Sequence, residues 1–123
     1  MIKLKKETSP KQGDGLTRAI QKFIRQKPKV VCPGLNRRPV SLTKYLEATQ
    51  NRSKRVRRRQ KFWACIELIG KVKDVDMTDE IKEPTGELSF EFKGITPSGE
   101  VVGVHIRQEI EGKDKKLYLV STF

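Results

Sequence analysis

From Leu88 onward, apolar side chains recur at every second position. Leu88, Phe90 and Phe92 form one run, Val102, Val104 and Ile106 a second, Leu117 and Leu119 a third. A period of two belongs to a strand with one face buried. The first two runs are separated by Thr96-Pro97-Ser98-Gly99-Glu100. Proline suits the first central position of a type I turn and glycine the left-handed position after it, which together make a three-residue hairpin loop. That loop sets Thr96 opposite Glu100. Counting back, Phe92 meets Val104 and Phe90 meets Ile106. A slip of one residue would set Phe92 against His105 and turn the apolar sets outward, so loop chemistry and hydrophobic pattern select the same register. On the other face, Glu91 lies opposite His105 and Ser89 opposite Arg107.

The next turn, Glu111-Gly112-Lys113-Asp114-Lys115-Lys116, is less decisive. Pairing Ile110 with Leu117 keeps the apolar face continuous through Leu119. It sets Thr122 opposite His105, Val120 opposite Arg107 and Tyr118 opposite Glu109. The expectation is a row of Glu91, His105 and Thr122 across three adjacent strands, flanked by Arg107 and Lys93.

Upstream, the period is helical. Residues 1–13 read as a flexible basic leader. Leu16, Ile20, Phe23 and Ile24 then mark a helix with Asp14 as its cap, ended by Pro28. Residues 29–40, broken by Pro33, Gly34 and Pro39, read as a connector with a brief strand at Val30 and Val31. Ser41 suits the cap of a second helix bearing Leu42, Tyr45 and Leu46. A third runs from about Arg52 to a stop at Gly70, with seven Lys or Arg between Arg52 and Lys61 and then Trp63, Ile66 and Ile69. So many cations near a helix N-terminus oppose its dipole, which favours a use for the charge. Residues 78–86 are acidic and turn-rich. A fourth strand could be either residues 71–77 or residues 29–32. The fold expected is one α+β domain over residues 14–123, with N-terminal helices (about 14–70) packed on one face of a C-terminal antiparallel β-sheet, a meander over about 87–123.

The chain of 123 residues carries 27 Lys and Arg against 15 Asp and Glu, a net charge of +12. Charge of that sign attracts nucleic acid, anionic lipid or an acidic protein. No apolar run approaches a membrane span, no amphipathic helix offers an aromatic face to lipid, and no signal peptide is evident. RNA is therefore the expected partner and the cytoplasm the expected location, with no membrane. Cys32 and Cys65 lie among apolar neighbours; buried free thiols are favoured, with a single disulfide left open. One histidine and two cysteines lack zinc-site spacing, so neither a metal nor a cofactor is expected.

Metal-free RNA cleavage needs a base for the ribose 2′-OH, cations for the phosphorane charge and an acid for the departing 5′-oxygen. His105 titrates near neutrality and can fill either proton-transfer role, with Glu91 beside it. Arg107 suits phosphate through paired hydrogen bonds. Arg55, Arg57, Arg58, Arg59, Lys61 and Lys93 are the expected phosphate contacts, and Tyr118 a platform for a base. The plain alternatives stay open. A Glu–His pair on an exposed sheet face is ordinary and worth only a few tenths of a kcal/mol, the basic run could be a solvated helix face, and Trp63 and Tyr118 could simply pack.

Helices followed by strands, with the closing Lys116-Leu117-Tyr118-Leu119-Val120-Ser121-Thr122-Phe123, resemble the superfamily of metal-independent ribonucleases and toxins that includes barnase, the tRNA-cutting colicins, EndoU and RelE-type toxins, and its phage or mobile-element branches. The resemblance covers roughly residues 52–123. It implies a four-stranded antiparallel sheet with an open active face and His105 as general acid or base. It also implies a hydroxyl from Ser121 or Thr122, basic residues matched by Arg55, Arg58 and Arg59, a tRNA or mRNA substrate, and an acidic inhibitor or immunity protein. Only three strands are evident here, and Glu91 as a base is inferred from register alone. The functions expected are a toxin-type endoribonuclease or, alternatively, a non-catalytic nucleic-acid-binding module using the helix around residues 52–61. A third reading is an adaptor for an acidic protein.

Overall fold

A computed structural model describes residues 1–10, 13–52, 54–73, 79–82 and 87–123, the side chains of 79–82 excepted. The elements are β1 (Ile2–Lys3), α1 (Gly13–Gln26), β2 (Lys29–Cys32), β3 (Arg38–Ser41), α2 (Tyr45–Thr49), α3 (Arg55–Gln60), α4 (Phe62–Lys71), β4 (Asp79–Lys82), β5 (Leu88–Ile95), β6 (Val101–Glu111) and β7 (Asp114–Thr122). All seven strands join one sheet in the order β1-β5-β6-β7-β3-β2, with β4 also paired to β5. The fold is α+β, and the sheet is mixed where an antiparallel meander was expected. The meander is present as β5-β6-β7, but β1 pairs with β5, and β3 with β7, in parallel. Residues 29–40, read as a connector with a brief strand at Val30 and Val31, form with Ser41 the antiparallel pair β2–β3. Residues 79–82, within the stretch read as turns, pair with β5. Of the two candidates for a further strand, 29–32 is one; most of 71–77 lies outside the described residues.

The β5–β6 hairpin has the expected register: Phe92 opposite Val104, Phe90 opposite Ile106, Glu91 opposite His105, Ser89 opposite Arg107. The Thr96 N–H donates to the Glu100 carbonyl at 2.9 Å, the Gly99 N–H donates to the Thr96 carbonyl at 2.9 Å, and Gly99 takes φ 91°. That left-handed backbone is the reason for glycine there.

The β6–β7 register departs from expectation. A tight turn at Gly112 (φ 63°) sets Glu111 opposite Asp114, so Ile110 faces Lys115 and stands exposed, and Leu117 faces Gln108. Leu119 meets Ile106, where the expected register set it against Gln108, and Ser121, two residues on, meets His105, the very next partner on β6. Val120 is therefore an extra residue, a β-bulge that reverses which side chains face out. Ser121, not Thr122, completes the row with Glu91 and His105; Thr122 points into the core and is fully buried. Tyr118 consequently lies opposite Arg107, not Glu109.

The third helix is two. Lys61 relaxes to φ −87°, ψ −3°, and divides the basic α3 from the apolar α4. Gly70 is not a stop, since α4 continues to Lys71 and the Val72 N–H donates to the Leu68 carbonyl. Ser41 lies in β3 and does not cap a helix; its hydroxyl accepts from the Thr43 N–H at 3.3 Å, and α2 begins at Tyr45. Asp14 lies inside the first turn of α1. Phe62, Cys65, Leu68 and Ile69 of α4 join Phe92, Val102, Val104, Ile106 and Leu119 in one core with Leu16 and Ile20 of α1. The Phe62 ring meets Phe23, Tyr45 and Trp63 at centroid distances of 5.5, 5.0 and 5.4 Å, so Trp63 is a packing residue. Cys32 and Cys65 are buried free thiols.

The beginning of the residue 1–13 leader is docked, where flexibility was expected. β1 adds to β5, Leu4 is buried, and the Leu4 N–H donates to the Ile95 carbonyl at 2.8 Å. Glu67 of α4 then accepts from the backbone N–H groups of Lys5 (2.9 and 2.8 Å) and Lys6 (2.8 Å), and Lys71 ion-pairs with it at 2.6 Å. Burial alone would raise the Glu67 pKa, but the Lys71 ammonium and the two amides outweigh it and hold the carboxyl below its ordinary range. The fold thus favours the charged form, and this contribution is complete above the unfolded carboxylate range and lost as pH falls through the lowered folded value. Glu67→Gln should cost about 1–2 kcal/mol at neutral pH. In urea titrations the difference from wild type should fade at acid pH; a constant difference would refute the charge dependence.

Candidate active site

The sheet row and α3 converge on one open cavity of about 360 Å³, lined by Arg52, Arg58, Glu91, Lys93, His105, Ser121 and Phe123. β5 supplies Glu91 and Lys93, β6 supplies His105, and the bulge in β7 turns Ser121 toward them. Glu91 Oε1 stands 3.7 Å from His105 Nδ1, close enough to stabilise a protonated imidazole and to share a substrate with it. Both side chains are partly exposed, 29% and 21% respectively, so the pair is accessible from solvent.

Arg58 reaches this row from α3. Its Nη1 donates to Ser121 Oγ at 3.0 Å and to the Thr122 carbonyl at 3.1 Å, while Thr122 Oγ1 donates to the Arg58 carbonyl at 2.6 Å. The Thr122 and Tyr45 hydroxyls lie 2.7 Å apart, tying α2 to the same point. Burial pushes the Tyr45 phenol far above its ordinary pKa, so it stays a neutral hydroxyl in this network. Thr122 is thereby a fastener between α2, α3 and β7, and Ser121 is the hydroxyl on the face that carries His105.

The remaining expected site residues are dispersed. Arg107 lies on the same face as His105 but lines a separate depression with Lys44, Glu47, Ala48, Glu109 and Val120. Tyr118 is buried: its hydroxyl donates to Glu111 at 2.5 Å and Lys44 Nζ lies 4.1 Å above its ring, which leaves no open face of the kind expected for a base. Arg57 pairs with Glu100 at 2.8 Å and Lys61 with the same oxygen at 3.7 Å. Arg55 donates to the Gln50 carbonyl at 3.0 Å. Arg59 is buried, and its guanidinium donates to Thr49 Oγ1, Thr17 Oγ1, the Leu46 carbonyl and Gln50 Oε1 at 3.2, 3.3, 2.9 and 3.4 Å. It is an internal strut joining α1, α2 and α3. Successive helix residues point in different directions, so the run divides: Arg58 turns to β7 and Arg59 inward, while Arg52, Arg55 and Arg57 line one depression.

A second open depression, about 700 Å³, lies on the exposed side of α3 and is lined by Gln50, Asn51, Arg52, Lys54, Arg55, Val56, Arg57 and Gln60. Arg52 borders both this depression and the His105 cavity. Phe123 was not among the sequence candidates, and Arg52 entered only as the first residue of the basic run. Phe123 does carry a signal: its register partner across the sheet is Gly103, and an aromatic over a cross-strand glycine is a recurrent packing unit. The Phe123 N–H donates to the Gly103 carbonyl at 2.9 Å, and a Cβ on Gly103 would fall 2.5 Å from Cζ of the Phe123 ring.

Among the described residues, no group of three or more His, Cys, Asp and Glu could hold a metal ion, and no helix is long and apolar enough to cross a membrane. Asp74 and Asp76, an Asp-x-Asp pair, lie outside those residues. Comparison with protein-family models, curated proteins and solved structures returned no significant match.

The arginine run should separate on mutation. Arg59→Ala should lower stability by about 2–4 kcal/mol, because several buried acceptors lose their donor. Arg55→Ala should stay within ~0.5 kcal/mol. Urea midpoints check both, and equal losses would refute the division.

Proposed function

We propose that this protein binds RNA and cleaves it as a toxin-type endoribonuclease without a metal, in the manner of the barnase-like superfamily it resembles. One observation carries the reading: Glu91, His105 and Ser121 form one row across three neighbouring strands, in a cavity rimmed by Arg52, Arg58 and Lys93. The reading takes the helices to cover the apolar side of the sheet and leave this row to the substrate. Glu91 removes the proton from the ribose 2′-OH, and the 2′-oxygen attacks phosphorus. The bond from phosphorus to the 5′-oxygen breaks as protonated His105 donates to that oxygen. Arg58 and Ser121 donate to the non-bridging oxygens, where negative charge grows. The products are a 2′,3′-cyclic phosphate and a 5′-hydroxyl, and water returns both side chains to their starting protonation. A cytoplasmic enzyme of this kind calls for an acidic inhibitor over the basic rim.

Incubation with total RNA in EDTA should yield 2′,3′-cyclic phosphate ends. His105→Ala should slow cleavage on the order of a hundred- to ten-thousand-fold. Absence of cleavage, or cleavage unchanged in His105→Ala, ends the enzyme reading.

The α3 depression favours a second reading, a non-catalytic nucleic-acid module. Arg52, Lys54, Arg55 and Arg57 line it, and side chains of that kind bind phosphate regardless of sequence. Affinity for single strands should then fall with salt at a log–log slope of about −0.7 for each phosphate neutralised. Arg55→Gln should flatten the slope by about one such step while leaving any cleavage product unchanged. An unaltered slope would remove Arg55 from the interface.

A further inference from the structure

We infer that the ring of Phe123, lying against Gly103 beside His105, is a stacking platform for an unpaired nucleobase, and that the substrate is therefore single-stranded RNA. This rests on the RNA-binding reading above and adds the substrate class. Gly103 and His105 project from the same face of β6 two residues apart, about 7 Å along the strand. Phe123 is the register partner of Gly103. Glycine is what lets the ring approach, since a Cβ there would sit 2.5 Å from one ring carbon and 2.9 Å from another. The ring is partly exposed and lines the same cavity as Glu91, His105 and Ser121. Lys93 is the partner of Gly103 on the opposite side, in β5, and is exposed. An apolar ring, a flanking cation and a proton-transfer pair thus meet within one nucleotide's length.

That combination suits one nucleotide bound by its parts. The base lies on Phe123, its phosphate faces His105 and Lys93, and the strand leaves past Arg52 into the α3 depression, which Arg52 shares with the cavity. A base paired in a duplex keeps its faces stacked on its neighbours and cannot use such a ring. Aromatic stacking accepts any base, so the platform selects strandedness more than sequence.

The test measures binding, independently of cleavage. The full chain is titrated against a short fluorescent 2′-O-methyl oligoadenylate, which lacks the attacking hydroxyl, against the same strand in a duplex, and against a version in which every base is replaced by an abasic linker. Single strand should bind better than duplex, and loss of the bases should weaken binding roughly 5- to 100-fold. Phe123→Leu should weaken the oligoadenylate by a similar factor but leave the abasic strand unaffected, while Phe123→Trp should keep full affinity. Should Phe123→Leu fail to fold, the abasic comparison on the wild-type chain still decides. If the abasic strand or the duplex binds as tightly as the oligoadenylate, or the Phe123→Leu variant matches wild type, the platform is refuted while RNA binding stands. If no strand binds, the RNA reading itself falls.

Discussion

One extra residue in β7 organises the sheet face that carries Glu91 and His105. Val120 has no partner of its own in the β6–β7 ladder, so the strand changes face between Leu119 and Ser121. Without that bulge, Val120 would stand opposite His105, and Ser121 would turn to the core opposite Val104. With it, Ser121 stands in the cavity and Thr122 is buried against Tyr45 and the Arg58 carbonyl. Bulges redirect side chains in this way because sheet geometry otherwise alternates strictly. The same reversal brings the Phe123 backbone into register with Gly103.

The buried hydroxyl has a structural consequence. Thr122 accepts from the Tyr45 phenol and donates to the Arg58 carbonyl, which holds α3 against β7 where Arg58 can reach Ser121. Orientation of a guanidinium by fixed neighbours costs no reorganisation when a phosphate arrives, and this is how positioned charge becomes useful. Arg59, its neighbour, faces the opposite way into a nest of neutral oxygens. Burial lowers its pKa, and these acceptors offset the penalty of removing a guanidinium from water. Two adjacent arginines thus serve the surface and the interior respectively.

The +12 net charge is likewise uneven in effect. Arg57 and Lys61 direct part of theirs to Glu100, next to the β5–β6 loop. Lys44 is engaged with Glu109 and Tyr118. Arg52, Lys54 and Arg55 remain along the exposed side of α3, leading toward the cavity. The charge is thus unevenly spread over the surface, and screening confines the field of each exposed charge to about 8–10 Å.

The β5–β6 pairing was legible in the sequence because two independent signals, loop chemistry and apolar alternation, agree there. That agreement alone determined that Glu91 faces His105. The β6–β7 pairing carried one signal only, and apolar continuity from Ile110 to Leu117 pointed to the wrong register. A bulge leaves no mark in composition, since its stability comes from the ladder on either side. The roles of the arginines were hidden for a related reason: seven cations in ten residues specify a charge, while the break at Lys61 and the packing of α1, α2 and β7 decide which way each points. Local periodicity and turn stereochemistry therefore set the three strands of the meander and one hairpin register. Only tertiary packing, which pairs residues distant in the chain, selected Ser121 over Thr122, separated Arg58 from Arg59, and laid Phe123 across Gly103.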